Sequence, residues 1–321
     1  MRWKLASDDG GQGSLFSDEE LFDRHAGLGE FRGLEFLHVN AKRIINEVPA
    51  ASRVPFRFTI NPYRGCSHAC VYCFARPTHD YLGLGIGDDF DRKIVVKVNA
   101  VERLRAELRA WRHAGEHIAM GTNTDPYQRC EGKYHLTQGI IGVLAEAATP
   151  FSILTKSPLI LRDLPLLVEA ARRTDVRVNF SIGTLDEATW KSTEPGTAHP
   201  RQRVEAVRKI NDAGIPCGVL VAPVIPGMSD APHQLEQVAR ACVEAGAVSV
   251  SAIALHLRSG VREHWMRWLS EARPDLVDTH TRSYPRAYLS KSDQEEVSSL
   301  VRRLVAEARL EASRDAYRGA R

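Results

Sequence analysis

The sequence predicts an α/β fold of six βα units, either an incomplete (β/α) barrel or a doubly wound sheet, and three observations carry that prediction. From about Phe56 onward, short apolar runs alternate regularly with stretches of helical period. Such alternation means parallel strands with helices packed outside them. Within the helical stretches the apolar residues share a face: Leu235, Val238, Ala239 and Cys242 sit at i, i+3, i+4 and i+7. The chain has 321 residues, 43% hydrophobic and 26% charged. That suits one large barrel or two modest domains, and it excludes a disordered or fibrous chain.

In chain order, residues 1–50 form an N-terminal extension. It opens with a polar Gly/Ser/Asp-rich lead-in and continues as GLEFLHVNAKRIINEV, which is expected to pack as an arm or a short helix. The core, residues 51–290, carries six strands: FRFTINP, HIAMGT, FSILT, VRVNFSIGT, PCGVLVAPVI and VSVSAIAL. Between the first two, Val98, Val101, Leu104, Leu108 and Trp111 make a helical stripe. Between the next two, Leu136, Ile140, Val143, Leu144 and Ala147 make another. Gly214 follows NDA as a helix stop. Residues 291–321 read as a charged, amphipathic C-terminal helix packing on the core. In a barrel the chemistry gathers at the carboxyl ends of the strands, so polar residues there are the candidates.

Composition narrows the function classes. No apolar stretch approaches the roughly 20 residues of a membrane helix, and the N-terminus lacks the apolar core of a secretory signal. A soluble cytoplasmic protein is expected. The net charge of +3, from 43 Lys+Arg against 40 Asp+Glu, neither demands nor forbids a nucleic-acid partner.

The cysteines say more. Three of the six, Cys66, Cys70 and Cys73, fall within eight residues, spaced C-x3-C-x2-C directly after the first predicted strand. Packed cysteines in a long, otherwise cysteine-poor chain point to metal rather than disulfides. Three thiolates on one tight loop can hold three irons of a cubane cluster and leave the fourth without a protein ligand. Zinc, with His68 as fourth ligand, is the alternative. Cys217 and Cys242 read as core residues, while Cys130, in the loop YQRCEGKY, is a candidate catalytic thiol.

The segment NPYRGCSHACVYCFAR, with an aromatic residue before the third cysteine, resembles the radical S-adenosylmethionine superfamily, and more narrowly the branch that includes spore photoproduct lyase. The resemblance spans roughly residues 55–260. It implies a partial (β/α)6 TIM-like barrel, a 4Fe–4S cluster and S-adenosyl-L-methionine as cofactors. It also implies a reaction in which a 5′-deoxyadenosyl radical abstracts hydrogen from a substrate, with a DNA lesion as the candidate. An electron donor such as ferredoxin or flavodoxin follows as a partner, nucleic acid is a candidate partner, and no membrane is implied. By the same resemblance Tyr72, Asn123, Thr124, Asp125, Lys156, Ser181 and Ala222 are the candidate cofactor-binding residues. Asn123 occupies the position at which spore photoproduct lyase carries its hydrogen-donating cysteine, a departure that argues against the thymine-dimer reaction itself. His256 and Arg258, after the sixth strand, are candidates for contacting an anionic substrate.

Two rivals come from other classes. One is a non-catalytic iron–sulfur or zinc protein; the other is a nucleic-acid-binding repair factor with a structural cluster. Polar residues at the strand ends favour the enzyme, because a cluster scaffold has no use for them.

Overall fold

A computed structural model of the chain describes residues 22–52, 54–111 and 115–319. The lead-in up to residue 21 lies outside them. The chain divides into two compact units. The first is built from the described residues up to His68, with Ala75–Ile153 and Glu169–Asp175; the second is Ala69–Phe74, Leu154–Val168 and Val176 onward.

The first unit contains β1 (Asp23–Ala26), β2 (Glu35–Val39), β3 (Ile45–Glu47), β4 (Phe58–Ile60), β5 (Tyr63–Arg64), β6 (Lys93–Lys97), β7 (Ile118–Met120) and the start of β8 (Phe151–Thr155). Here β3 pairs antiparallel with β4, while β4, β7 and β8 run parallel, with Phe58 opposite Ile118 and Ile118 opposite Phe151. All three residues of β4 and of β7 are buried. Strands covered on both faces favour such continuous apolar runs over alternation.

A second sheet, ordered β1–β2–β6–β5, was not legible beforehand. GLEFLHVN, expected as an arm or short helix, is β2. It pairs antiparallel with β1 and parallel with β6, and Phe36 and Leu37 are both fully buried. Its partner in β6 lies nearly sixty residues away, so local pattern could not reveal the pairing. Helices α1 (Asp88–Arg92), α2 (Ala100–Arg109), α3 (Glu131–Tyr134) and α4 (Leu136–Glu146) complete the unit. At Gly139 a Cβ would lie 2.6 Å from a Val101 methyl, so glycine is what lets α4 approach α2 this closely.

The second unit carries β9 (Val176–Ser181), β10 (Cys217–Val224) and β11 (Val250–Ala254), all parallel. The six strands expected from the sequence are thus β4, β7, β8, β9, β10 and β11. Their connecting helices include α5 (Glu187–Thr193), α6 (Pro200–Asp212), α7 (Pro232–Glu244), α8 (Val261–Ala272), α9 (Val277–Ser283) and α10 (Lys291–Gly319). Helix α6 shows why these residues fold so. His199 caps its start, Pro200 occupies the first turn, and Gly214 at φ +82° stops the chain just beyond it. Its buried stripe is Arg203, Ala206, Val207 and Ile210, one helical face whose first member is charged. Helix α10 packs along α7 and β11. Cys217 and Cys242, expected in the core, are buried.

Candidate active site

Each end of the cysteine loop is secured by hydrogen bonds within the unit to which that end belongs. In the first unit, Asn61 directly follows β4 and stays buried: its amide nitrogen donates to the Thr122 hydroxyl at 3.0 Å, and its oxygen accepts from the Asn123 backbone N–H at 3.1 Å. Gly65 turns the chain at φ +79°, where a Cβ would lie 2.8 Å from the His79 ring, so no other residue fits. The Gly65 carbonyl accepts from the Thr124 hydroxyl at 2.6 Å and from the Gln128 side chain at 3.0 Å. Gln128 in turn accepts from the Ser67 N–H at 2.9 Å, and Cys66 N–H donates to the Phe90 carbonyl at 2.9 Å. The Asp125 carboxylate accepts from the Tyr127 N–H at 2.9 Å, an Asx turn, and its other oxygen lies 3.3 Å from His68 Nδ1. The polar atoms of Thr124 and Asp125 thus brace the loop, whereas Asn123 is exposed.

In the second unit the loop continues through Cys70, Tyr72 and Cys73. Cys73 N–H donates to the Cys70 carbonyl at 3.1 Å, and Val71 N–H to the Thr193 carbonyl at 3.0 Å. The buried Tyr72 hydroxyl donates to Glu194 in a short hydrogen bond. Glu194 is gripped from the other side by Arg203 at 2.5 Å. Arg203 also donates to the Thr197 hydroxyl at 2.5 Å, the Ala198 carbonyl at 3.0 Å and the Ser181 carbonyl at 3.1 Å. Ser181 is the last residue of β9, so Arg203 ties a strand end to the loop through Glu194 and Tyr72. Next to it, Lys156 Nζ donates to the Ser181 hydroxyl at 2.8 Å and lies 5.7 Å from the Tyr72 ring centre. The Ser181 hydroxyl passes its own hydrogen to the Ala222 carbonyl at 2.8 Å. Three strand ends, those of β8, β9 and β10, are therefore linked through Lys156, Ser181 and Ala222.

The electrostatics follow from burial. Burial pushes the Cys70 thiol up to about 12, partly countered by Lys156 and Arg203. Burial also acts to raise Glu194, but Arg203 and then Lys156 outweigh it and hold the carboxyl below its ordinary value. Tyr72 is driven well above the usual phenol range, first by burial and then by the Glu194 charge.

Of the residues read from the sequence, the second unit brings together Cys70, Tyr72, Cys73, Lys156, Ser181 and Ala222. Cys66, Asn123, Thr124 and Asp125 lie in the first unit. Cys130, also there, packs at 0% exposure among Phe36, Tyr63, Ile94 and Val96. Burial and the adjacent Glu131 push its thiol well up. Glu194 and Arg203 were missed. The signal that could have found Arg203 is its place on the buried stripe of α6, where a charge needs a partner. Near Cys73, the rings of Phe74, His256 and Tyr288 follow one another at centroid distances of 5.8 and 5.6 Å, and Arg258 Nε donates to the Tyr288 hydroxyl at 3.1 Å. Phe74 and Tyr288 are 44% and 46% exposed, so the row faces outward.

Lys156→Ala is expected to leave iron content unchanged and to weaken S-adenosylmethionine binding by about 1.5–3 kcal/mol, the range for a charge-assisted hydrogen bond. Calorimetry on cluster-loaded protein measures this, and an unchanged affinity counts against Lys156 as a cofactor contact.

With this geometry in hand, comparison with known proteins defines the class. The family model of the radical SAM superfamily matches residues 60–242. The chain belongs to the radical SAM superfamily, whose members are enzymes that use a 4Fe–4S cluster and S-adenosylmethionine and need an electron donor. An uncharacterised protein of Mycobacterium tuberculosis is 47% identical over 284 residues, which cover 88% of this chain and 83% of that one. An uncharacterised protein of Methanocaldococcus jannaschii is 29% identical over 199 residues, 61% of this chain and 70% of that one. Among solved structures, spore photoproduct lyase complexed with dinucleoside spore photoproduct matches with a TM-score of 0.62 at 18% identity, covering 85% of this chain and 79% of that one. At that identity the likeness is one of fold, that of the α/β partial barrel. Among the described residues no helix is long and apolar enough to cross a membrane.

Proposed function

We propose that this chain is a radical SAM enzyme in which Cys66, Cys70 and Cys73 hold the cluster and the linked strand ends hold S-adenosylmethionine, with a nucleobase-containing substrate. The observation that carries the reading is the buried Tyr72–Glu194–Arg203 chain beside Lys156, Ser181 and Ala222. A structural metal loop does not require a buried ion pair to aim it at strand ends.

The donor set suits the cluster. Cys66 and Cys70 are buried, Cys73 is half-buried, and between the first two the buried Ser67 hydroxyl has no hydrogen-bond partner among the described residues. A short loop with three thiols and a hydroxyl in reserve fits a sulfide-rich group better than a four-ligand zinc ion. When bound and reduced, a cluster held by Cys66, Cys70 and Cys73 would supply the electron for reductive cleavage of S-adenosylmethionine. Lys156 would offer a point charge to the cofactor's carboxylate, and the Ser181 hydroxyl, accepting from Lys156 and donating to the Ala222 carbonyl, would hold that ammonium in place. Within the same unit, the backbone around Ala222 and the Tyr72 ring would contact the adenosyl group. Arg203 and Glu194 touch no cofactor in this scheme; they keep Tyr72 and the β9 end in register. Cys130 has no catalytic part, because its thiol is enclosed in the core.

The outward row of Phe74, His256 and Tyr288, with Arg258 at its edge, suits stacking of bases beside a phosphate. The test is anaerobic reconstitution, reduction and assay for 5′-deoxyadenosine. The expected result is slow release with S-adenosylmethionine alone, faster release with single-stranded oligonucleotides, and little repair of spore photoproduct, since Asn123 brings no hydrogen-donating thiol. Fully loaded protein that releases none, and whose reduced paramagnetic resonance spectrum ignores S-adenosylmethionine, would return the chain to the structural-cluster reading.

A further inference from the structure

We propose that Asp23, His25 and His38 form a binding site for one divalent transition-metal ion of the zinc class, on the side sheet of the first unit. One ligand atom from each of the three lies within 4.8 Å of the other two. The arrangement is a direct product of strand register. Asp23 and His25 are two apart on β1, so both point to one face of the sheet. In the antiparallel pairing with β2, Asp23 stands opposite His38, which places the third side chain on that same face. The two imidazole rings lie 4.0 Å apart, and His25 Nε2 is 2.8 Å from the Asp23 carboxylate. The Tyr134 hydroxyl lies 2.7 Å from His38 Nε2, an outer hydrogen bond of the kind that orients a ligating imidazole.

The donors decide the metal. Two imidazoles and one carboxylate suit zinc, cobalt(II) or nickel(II), with water in the remaining position; magnesium and calcium want all-oxygen sets. Asp23 and His25 are exposed and His38 half-buried, so an ion can enter from solvent without any rearrangement of the core. Lys133, whose ammonium lies over the Phe36 and Tyr134 rings at 5.6 and 5.4 Å, is a nearby cation whose repulsion works against binding rather than for it. None of these residues belongs to the cysteine loop or to the strand ends described above. A bound ion would tie β1, the first described strand, to β2.

The test uses cluster-loaded protein handled anaerobically, so that Cys66, Cys70 and Cys73 are occupied. Zinc is titrated by calorimetry, with iron and sulfide measured before and after. The expected result is a single zinc per chain, no iron released, and affinity lowered about tenfold or more in His25→Ala and in His38→Ala, at least the loss typical of disturbing an outer-shell partner. Asp23→Asn, an exposed substitution that leaves the fold alone, should also weaken binding. In the unaltered protein, zinc should slow amide hydrogen exchange across β1. Failure of the unaltered protein to take up zinc, or variants that bind it as tightly as the unaltered protein, would overturn the proposal.

Discussion

Cys70→Ala protein, reconstituted anaerobically with iron and sulfide, is expected to retain only background cluster and to lose S-adenosylmethionine cleavage altogether. The same holds for Cys66→Ala and Cys73→Ala. Cys130→Ala, Cys217→Ala and Cys242→Ala should assemble normally, because those thiols sit in apolar cores, with Cys217 and Cys242 pushed up to about 12 by burial. A cluster needs thiolates, and Cys70 on its own is no easier to ionise, also being raised to about 12. What separates the two groups is that the first three share one short loop, so that iron can neutralise and bridge them together. Iron, sulfide and visible absorbance measure the outcome. Normal cluster content in Cys70→Ala would remove the loop from the cluster assignment.

The second large effect is on stability. Arg203→Ala is expected to destabilise the fold by about 3–5 kcal/mol, since removing one partner strands a buried charge on Glu194. Both side chains are nearly inaccessible, at 1% and 5% exposure, so solvent cannot take Arg203's place. Replacing both residues with apolar side chains of similar volume should lose much less, because neither charge is then left unpaired. The pH dependence gives a further check. In the unaltered protein the Glu194 carboxyl is held low, so its contribution is present above the unfolded value and lost as pH falls through the folded one. Without Arg203, the burial effect on Glu194 is countered only by weaker contributions and the carboxyl rises. The deficit of Arg203→Ala should therefore shrink as pH is lowered, because protonation removes the stranded charge. Chemical denaturation at neutral and mildly acidic pH reads both effects, and a deficit independent of pH would mean that packing, not the ion pair, dominates.

How far the site could be read in advance depended on how local each feature was. The cysteine run and the six parallel strands lie in contiguous stretches, and their spacing and apolar patterning are properties of a few residues each. Lys156, Ser181 and Ala222 were marked by position alone, as polar or small residues where strands end; that Ser181 bridges the other two emerged with the packing of β8, β9 and β10. Thr124 and Asp125 were marked as candidate cofactor-binding residues by resemblance; in the fold Asp125 makes an Asx turn and Thr124 holds Gly65, contacts that depend on how the following loop packs.

The sequence by itself therefore determined the α/β class, the six parallel strands, the cysteine loop and the superfamily. Each is written in short-range spacing or period, which the backbone must obey wherever it folds. Tertiary structure alone decided the side sheet, whose β2 and β6 pair across nearly sixty residues, and the burial of Glu194 and Arg203. Read along the chain, Glu194 is a charge at a helix end like any solvated one, and Arg203, though it stands on the apolar stripe of α6, has no partner that local spacing names. Only packing removes the water around them, and without water each must be answered by the other.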